Sequence, residues 1–245
     1  RAMFQQVFCF FLIIHILGDF YFQSDFLSEK KQSEYKYIVL HGLLYFLISL
    51  LCIIPVWSVP VWISAVILSL LHFIIDSIKF IYLKSGNMRQ NAGIYVLDQF
   101  LHLGCIAGVA AGFAYHGYPF GLLSPIRDYI SVIANPAVLL GWTGLALAVS
   151  RPANITIKEL VSKYKPKDND LEDPNRTGAF IGTLERIIIL LLLSVGEYSA
   201  IGLVLTAKSI ARYNKISEDK QFAEYYLLGT LLSTLYAIAS YFVFL

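Results

Sequence analysis

Charge is scarce in this sequence. Only 15% of its residues are Asp, Glu, Lys or Arg, against roughly 25% in soluble domains. Cysteine is scarcer still. Cys9, Cys52 and Cys105 all lie in apolar runs, their number is odd, and no two have ligand spacing. That excludes a disulfide framework or a cysteine zinc site and leaves them as packing residues. No internal repeat is visible. The first apolar run contains His15 and Asp19 and lacks a small-x-small cleavage pattern, so it does not read as a cleaved signal peptide.

Hydrophobic length fills the space that charge leaves. The chain is 57% hydrophobic with a mean hydropathy of +0.64. Taking about 20 apolar residues per crossing, about eight helices are expected, near 4–22, 37–57, 60–83, 92–115, 136–155, 178–196, 198–213 and 222–244. The fold class is therefore all-α, a polytopic transmembrane helical bundle. Its expected divisions are a four-helix N-terminal half at 3–116, an outer loop with a fifth helix at 117–157, a cytoplasmic linker at 158–177, and a C-terminal three-helix half at 178–245. If segments 23–36, 84–91, 151–177 and 214–221 lie on one side, that side and its helix ends hold 17 of the 19 Lys and Arg, all except Arg1 and Arg127. The positive-inside rule makes that side cytoplasmic and places both termini outside.

The few polar residues inside these runs are patterned. His15 and Asp19, His72 and Asp76, and Asp98 and His102 are each four apart, so each pair projects from one helix face. Gln23 lies four beyond Asp19, and Gln99 and Lys79 lie beside the later pairs. With His41, near the start of the second helix, these groups fall about 5–15 Å below the cytoplasmic edge at 1.5 Å per residue. Ionisable groups at that depth are costly and usually face a partner, an ion or a substrate. Imidazole and carboxylate together are nitrogen and oxygen ligands for a divalent metal. His15, Asp19, His41, His72, Asp76, Asp98 and His102 are the candidate ligands, and zinc or manganese is the expected ion. Asp76, Asp98 and Lys79 are the candidate catalytic groups. Gln23, Lys79, Gln99, Glu185, Arg186, Lys208 and Arg212 are candidates for binding an anionic substrate.

The stretches His-Ile-Leu-Gly-Asp-Phe-Tyr-Phe-Gln (15–23), Lys30-Lys31, His41, His-Phe-Ile-Ile-Asp-Ser-Ile-Lys (72–79) and Leu-Asp-Gln-Phe-Leu-His (97–102) resemble a bacterial membrane family. It is known as domain of unknown function 3307. Gly-Thr-Leu-Glu-Arg (182–186), Ala-Lys-Ser-Ile-Ala-Arg (207–212) and Glu-Tyr-Tyr-Leu-Leu-Gly-Thr-Leu-Leu-Ser (224–233) resemble the C-terminal region of its longer members. The resemblance implies a multi-pass protein of the bacterial inner membrane, often beside SatD-type regulators, and carries no established activity.

Function is therefore argued from the polar set. The leading expectation is a metal-dependent hydrolase or phosphoryl-transfer enzyme, with one ion or two, acting on a lipid or other anionic membrane substrate. The first alternative is a proton or divalent-cation transporter, because His/Asp chains resemble ion paths; the outer halves of the same helices offer few polar groups. A second is a receptor or scaffold whose His/Asp pairs form a structural metal site or polar core. Haem held by facing histidines is disfavoured by the neighbouring aspartates. Membrane lipids are the expected surroundings, and no nucleic acid is expected as a partner.

Overall fold

The computed structural model describes residues 2–86, 88, 90–166 and 177–245. Arg1, Arg89, Lys167, Arg176 and the acidic part of the expected linker lie outside these. Among the described residues the chain is helical without strands. It divides into two compact units, one ending at Gly144 and one beginning at Leu145.

In the first unit, α1 (Ala2–Ile16) continues through a π-helical turn at Leu17–Tyr21. Then follow α2 (Asp25–Lys30), α3 (Tyr35–Ile53), α4 (Val59–Ser85), α5 (Ala92–His116), α6 (Ser124–Ile133) and α7 (Pro136–Ala148), whose residues from Leu145 on belong to the second unit. Local chemistry sets the boundaries. Ser24 caps α2 by accepting from the Leu27 N–H at 3.2 Å, and Asn91 caps α5 by accepting from the Ile94 N–H at 3.1 Å; each satisfies a donor that the first helical turn leaves free. Ser58 caps α4 with Pro60 in its first turn, where a missing N–H costs nothing. Gly117, at φ 63°, ends α5 in the left-handed conformation that glycine adopts without penalty.

The second unit holds α8 (Arg151–Val161), α9 (Thr177–Ser194), α10 (Tyr198–Ala211), α11 (Tyr213–Glu218) and α12 (Lys220–Phe244), with α12 packed on both α8 and α9.

All eight expected segments are helical, but six are long and apolar enough to cross a membrane: those beginning at Ala2, Tyr35, Val59, Ala92, Thr177 and Lys220. The other two differ for local reasons. The fifth is interrupted after Ala148 and is bent by 80° from α6 at the break before Pro136, as the residue before proline avoids helical geometry. A seventh span results if that bent pair counts as one. The segment near 198–213 is a helix of only 14 residues.

Helices α1, α3, α4 and α5 form a closed ring of neighbours, α1 on α3, α3 on α4, α4 on α5, and α5 back on α1. One end of the ring is filled by apolar side chains, among them Val7, Phe11, Ile53, Val61, Ile106 and Phe113. The other end is polar. The exterior along the spans is largely apolar: α3 exposes Leu40, Leu43, Leu47 and Leu51 while burying His41 and Tyr45. Such an inverted distribution suits lipid outside and a polar site within. Close approach of α3 and α4 depends on Gly42, where a Cβ would stand 2.8 Å from the Phe73 ring. Gly42→Leu is predicted to cost about 1–3 kcal/mol by overpacking, read as a lower unfolding midpoint in detergent. An unchanged midpoint would contradict this close approach.

Candidate metal centre

The polar end of the ring gathers side chains from every helix in it. His15, His41, His72, Asp76, Asp98 and His102 are all buried, none more than 6% exposed. Asp19 enters from the π-helical turn, where Phe22 N–H donates to Leu17 O at 2.8 Å. Such turns re-aim side chains and occur often at functional sites.

Asp19 Oδ1, His41 Nε2 and His72 Nε2 form a tight triangle. The edges are 3.0 Å from His41 to Asp19, 3.0 Å from His41 to His72, and 3.2 Å from His72 to Asp19. With Asp19 ionised, no placement of protons satisfies all three edges. An imidazole Nε2 carries either a proton or a lone pair. If both carry protons, two donors oppose each other; if one does not, its lone pair faces a carboxylate oxygen. A cation at the centre satisfies all three at once. Ligands of a tetrahedral ion bound at about 2.0–2.1 Å stand about 3.3–3.4 Å apart, close to what is observed. Asp76 Oδ2 closes a fourth side, 3.6 Å from His41 Nε2 and 3.9 Å from His72 Nε2.

Two further groups of ligand atoms converge close enough to hold a metal ion: His15, His72 and His102, and Asp76, Asp98 and His102. The rings of His72 and His102 stack at 4.3 Å, and His15 lies 5.0 Å from His102. His15 Nε2 also lies 3.4 Å from Gln99 Oε1, while Gln99 Nε2 donates to Asp98 Oδ2 at 3.3 Å.

Two ammonium groups pair with two of the three carboxylates, Asp76 and Asp98. Lys79 Nζ lies 2.8 Å from Asp98 Oδ2 and 3.5 Å from Asp76 Oδ1. Lys31 Nζ lies 3.1 Å from Asp76 Oδ2 and donates to Gln23 Oε1 at 3.0 Å. Both lysines line a crevice beside Asp76, with Gln32, Ile38 and Gln90 also on its wall. Its volume of about 10 Å³ is at the lower limit for one water molecule.

Sequence reasoning missed two members. Lys31 appeared only within a family-like stretch, although its place just past a helix end put it within reach. Tyr45 lies four residues after His41, on the same face, and its ring stacks on His72 at 3.9 Å with an interplanar angle of 9°.

Four expected substrate-binding residues lie in the second unit and have been given partners there or sit at its surface. Arg186, 1% exposed, donates from Nε to Val149 O at 2.6 Å, from Nη1 to Ser233 Oγ at 3.0 Å, and from Nη2 to Asn154 Oδ1 at 2.6 Å. It thereby ties α8, α9 and α12 together. Lys208 Nζ pairs with Glu185 Oε2 at 2.6 Å, joining α10 to α9. Arg212 is exposed at the end of α10.

Residues 7–119 match the profile of a family described as "Protein of unknown function (DUF3307)". That segment is a DUF3307 domain. The DUF3307 match spans the α1–α5 ring and every side chain of the cluster, and ends before the second unit. No curated protein and no solved structure matches the chain.

Gly18 holds the DUF3307 cluster in register from behind. A Cβ there would stand 2.5 Å from the Tyr45 ring, which bears on His72. Gly18→Ala is predicted to cost about 1–3 kcal/mol, and clearly less in a Tyr45→Leu background. Equal cost in both backgrounds, measured as a double-mutant cycle, would contradict this coupling.

Proposed function

We propose that the first unit is a metal-dependent membrane enzyme of the hydrolase or phosphoryl-transfer class, acting on a lipid or other anionic membrane substrate. The observation that carries the reading is the triangle of Asp19 Oδ1, His41 Nε2 and His72 Nε2, whose edges of 3.0, 3.0 and 3.2 Å suit a bound cation and, with Asp19 ionised, no set of protons. Zinc or manganese fits a donor set of imidazole and carboxylate. Asp76 and Asp98 are the groups placed to accept or hold a proton beside it. Lys31 and Lys79, on the crevice wall, are placed to meet an anionic group with two positive charges. A crevice of this size passes water, so a headgroup requires the two lysines to part from Asp76.

The apolar half of the ring favours this reading over transport. Val7, Phe11, Ile53, Val61, Ile106 and Phe113 pack against one another beyond the histidines, where an ion path would need polar groups.

The protein is proposed to sit in the bacterial inner membrane with both termini outside and the cluster near the cytoplasmic face. In a cysteine-free background, Lys30→Cys should react with an impermeant thiol reagent only after cells are permeabilised. Reaction in intact cells would reverse the orientation.

Purified protein, stripped by a chelator and reloaded with zinc or manganese, should retain at least one equivalent of metal through gel filtration. Asp19→Ala and His41→Ala should each hold about one equivalent less than the wild type while remaining monodisperse. Metal-dependent cleavage of headgroups from phospholipid vesicles should fall at least about 100-fold in the same variants, more than loss of a supporting group costs. Metal content equal to the wild type in both variants would overturn the ligand assignment. Metal binding without cleavage of any lipid or phosphate ester would leave a structural metal site and overturn the enzyme.

A further inference from the structure

Three ligand atoms on the far side of Asp76 have no hydrogen-bond partner. They are Asp76 Oδ1, Asp98 Oδ1 and His102 Nε2, on residues 3%, 6% and 3% exposed. They face one another. His102 Nε2 lies 3.7 Å from Asp98 Oδ1 and 3.9 Å from Asp76 Oδ1, beyond hydrogen-bond reach, and all three atoms lie within 4.8 Å of each other. An ion seated between three ligands, about 2.2 Å from each in their plane, holds them about 3.8 Å apart.

The neighbours are arranged to leave these atoms free. On Asp98, the other oxygen, Oδ2, takes both Lys79 at 2.8 Å and Gln99 at 3.3 Å. On Asp76, Oδ2 takes Lys31 at 3.1 Å and faces the first triangle. Only Lys79 Nζ, at 3.5 Å, approaches Asp76 Oδ1. Burying an unsatisfied carboxylate oxygen is expensive, and two such oxygens converging with an unpartnered imidazole nitrogen form a seat that fits a cation.

We infer that Asp76, Asp98 and His102 form a second divalent-cation site, and that Asp76 bridges it to the first through its two carboxylate oxygens. This rests on the metal-centre reading above and deepens it. A carboxylate spanning two ions is the geometry of two-metal centres, whose ions stand about 3.5–4 Å apart and clamp the attacking and leaving oxygens of a displacement. Charge points to the substrate class. Two divalent ions with Lys31 and Lys79 outweigh Asp19, Asp76 and Asp98, so the complete centre carries excess positive charge. A phosphate ester offsets it; a neutral ester or amide does not.

The test counts ions on the intact chain in detergent. Chelator-stripped protein is titrated with manganese, and bound metal is measured by elemental analysis and by electron paramagnetic resonance. The wild type should hold two ions with the exchange-coupled signal of a close pair. Asp98→Asn, and separately His102→Gln, should hold one ion with an uncoupled signal, while Asp19→Ala keeps the second site's ion. Inorganic phosphate should perturb the coupled signal. One ion in the wild type, unchanged in Asp98→Asn, overturns the second site and leaves the first intact. A single ion in the wild type that Asp19→Ala and Asp98→Asn both abolish shows one shared site and likewise overturns it. No bound ion in the wild type overturns the metal-centre reading itself.

Discussion

Converging electron pairs at the polar end of the α1–α5 ring are the constraint on which the rest of the first unit turns. Ligand atoms that no placement of protons reconciles while Asp19 is ionised stand 3.0–3.2 Å apart in the triangle of Asp19, His41 and His72. Further ligand atoms of Asp76, Asp98 and His102 lie beside them without hydrogen bonds. In a bundle whose outer surface is largely apolar, bulk water does not reach this layer, and the crevice beside Asp76 has room for about one molecule. Each unsatisfied buried group costs about 1–3 kcal/mol, so the helices must be held together by their packing elsewhere or by an ion at the centre. Both are provided for. The apolar layer at the opposite end supplies the packing, and the ligand atoms supply the seat.

Positioning is shared among parts that carry no charge. The π-helical turn at Leu17–Tyr21 aims Asp19 inward, and Gly18 in that turn lets the Tyr45 ring approach it. Tyr45 in turn lies flat on His72, which stacks on His102. A column of three rings thus fixes two histidines against rotation, and Gly42 brings α3 and α4 close enough for His41 to reach His72.

Much of this arrangement was legible in the sequence. Four-residue spacing puts His72 with Asp76, and Asp98 with His102, on single helix faces, and short turns make α3, α4 and α5 neighbours. The direct packing of α1 on α5, which brings His15 beside Gln99 and His102, has no such local signal. Neither does the π-helical turn, because an inserted residue in a helix leaves hydrophobic periodicity almost unchanged over so short a run. Lys31 comes from a polar segment between spans, where nothing in the spacing says which lysine turns inward. Asn135-Pro136 did carry a turn signal, and it is where α6 and α7 bend. Arg186, read from sequence as a substrate group, spends its donors on Val149, Asn154, Thr183 and Ser233; hydroxyl and amide acceptors spread over three helices cannot be paired from spacing alone.

X-ray absorption at the metal edge tests the central claim most directly. Zinc loaded into the stripped, purified protein should show only nitrogen and oxygen neighbours, at about 2.0–2.2 Å, with the outer-shell scattering of at least two imidazoles. A spectrum with sulfur at about 2.3 Å, or one matching hexahydrated or detergent-bound zinc without imidazole scattering, would contradict it.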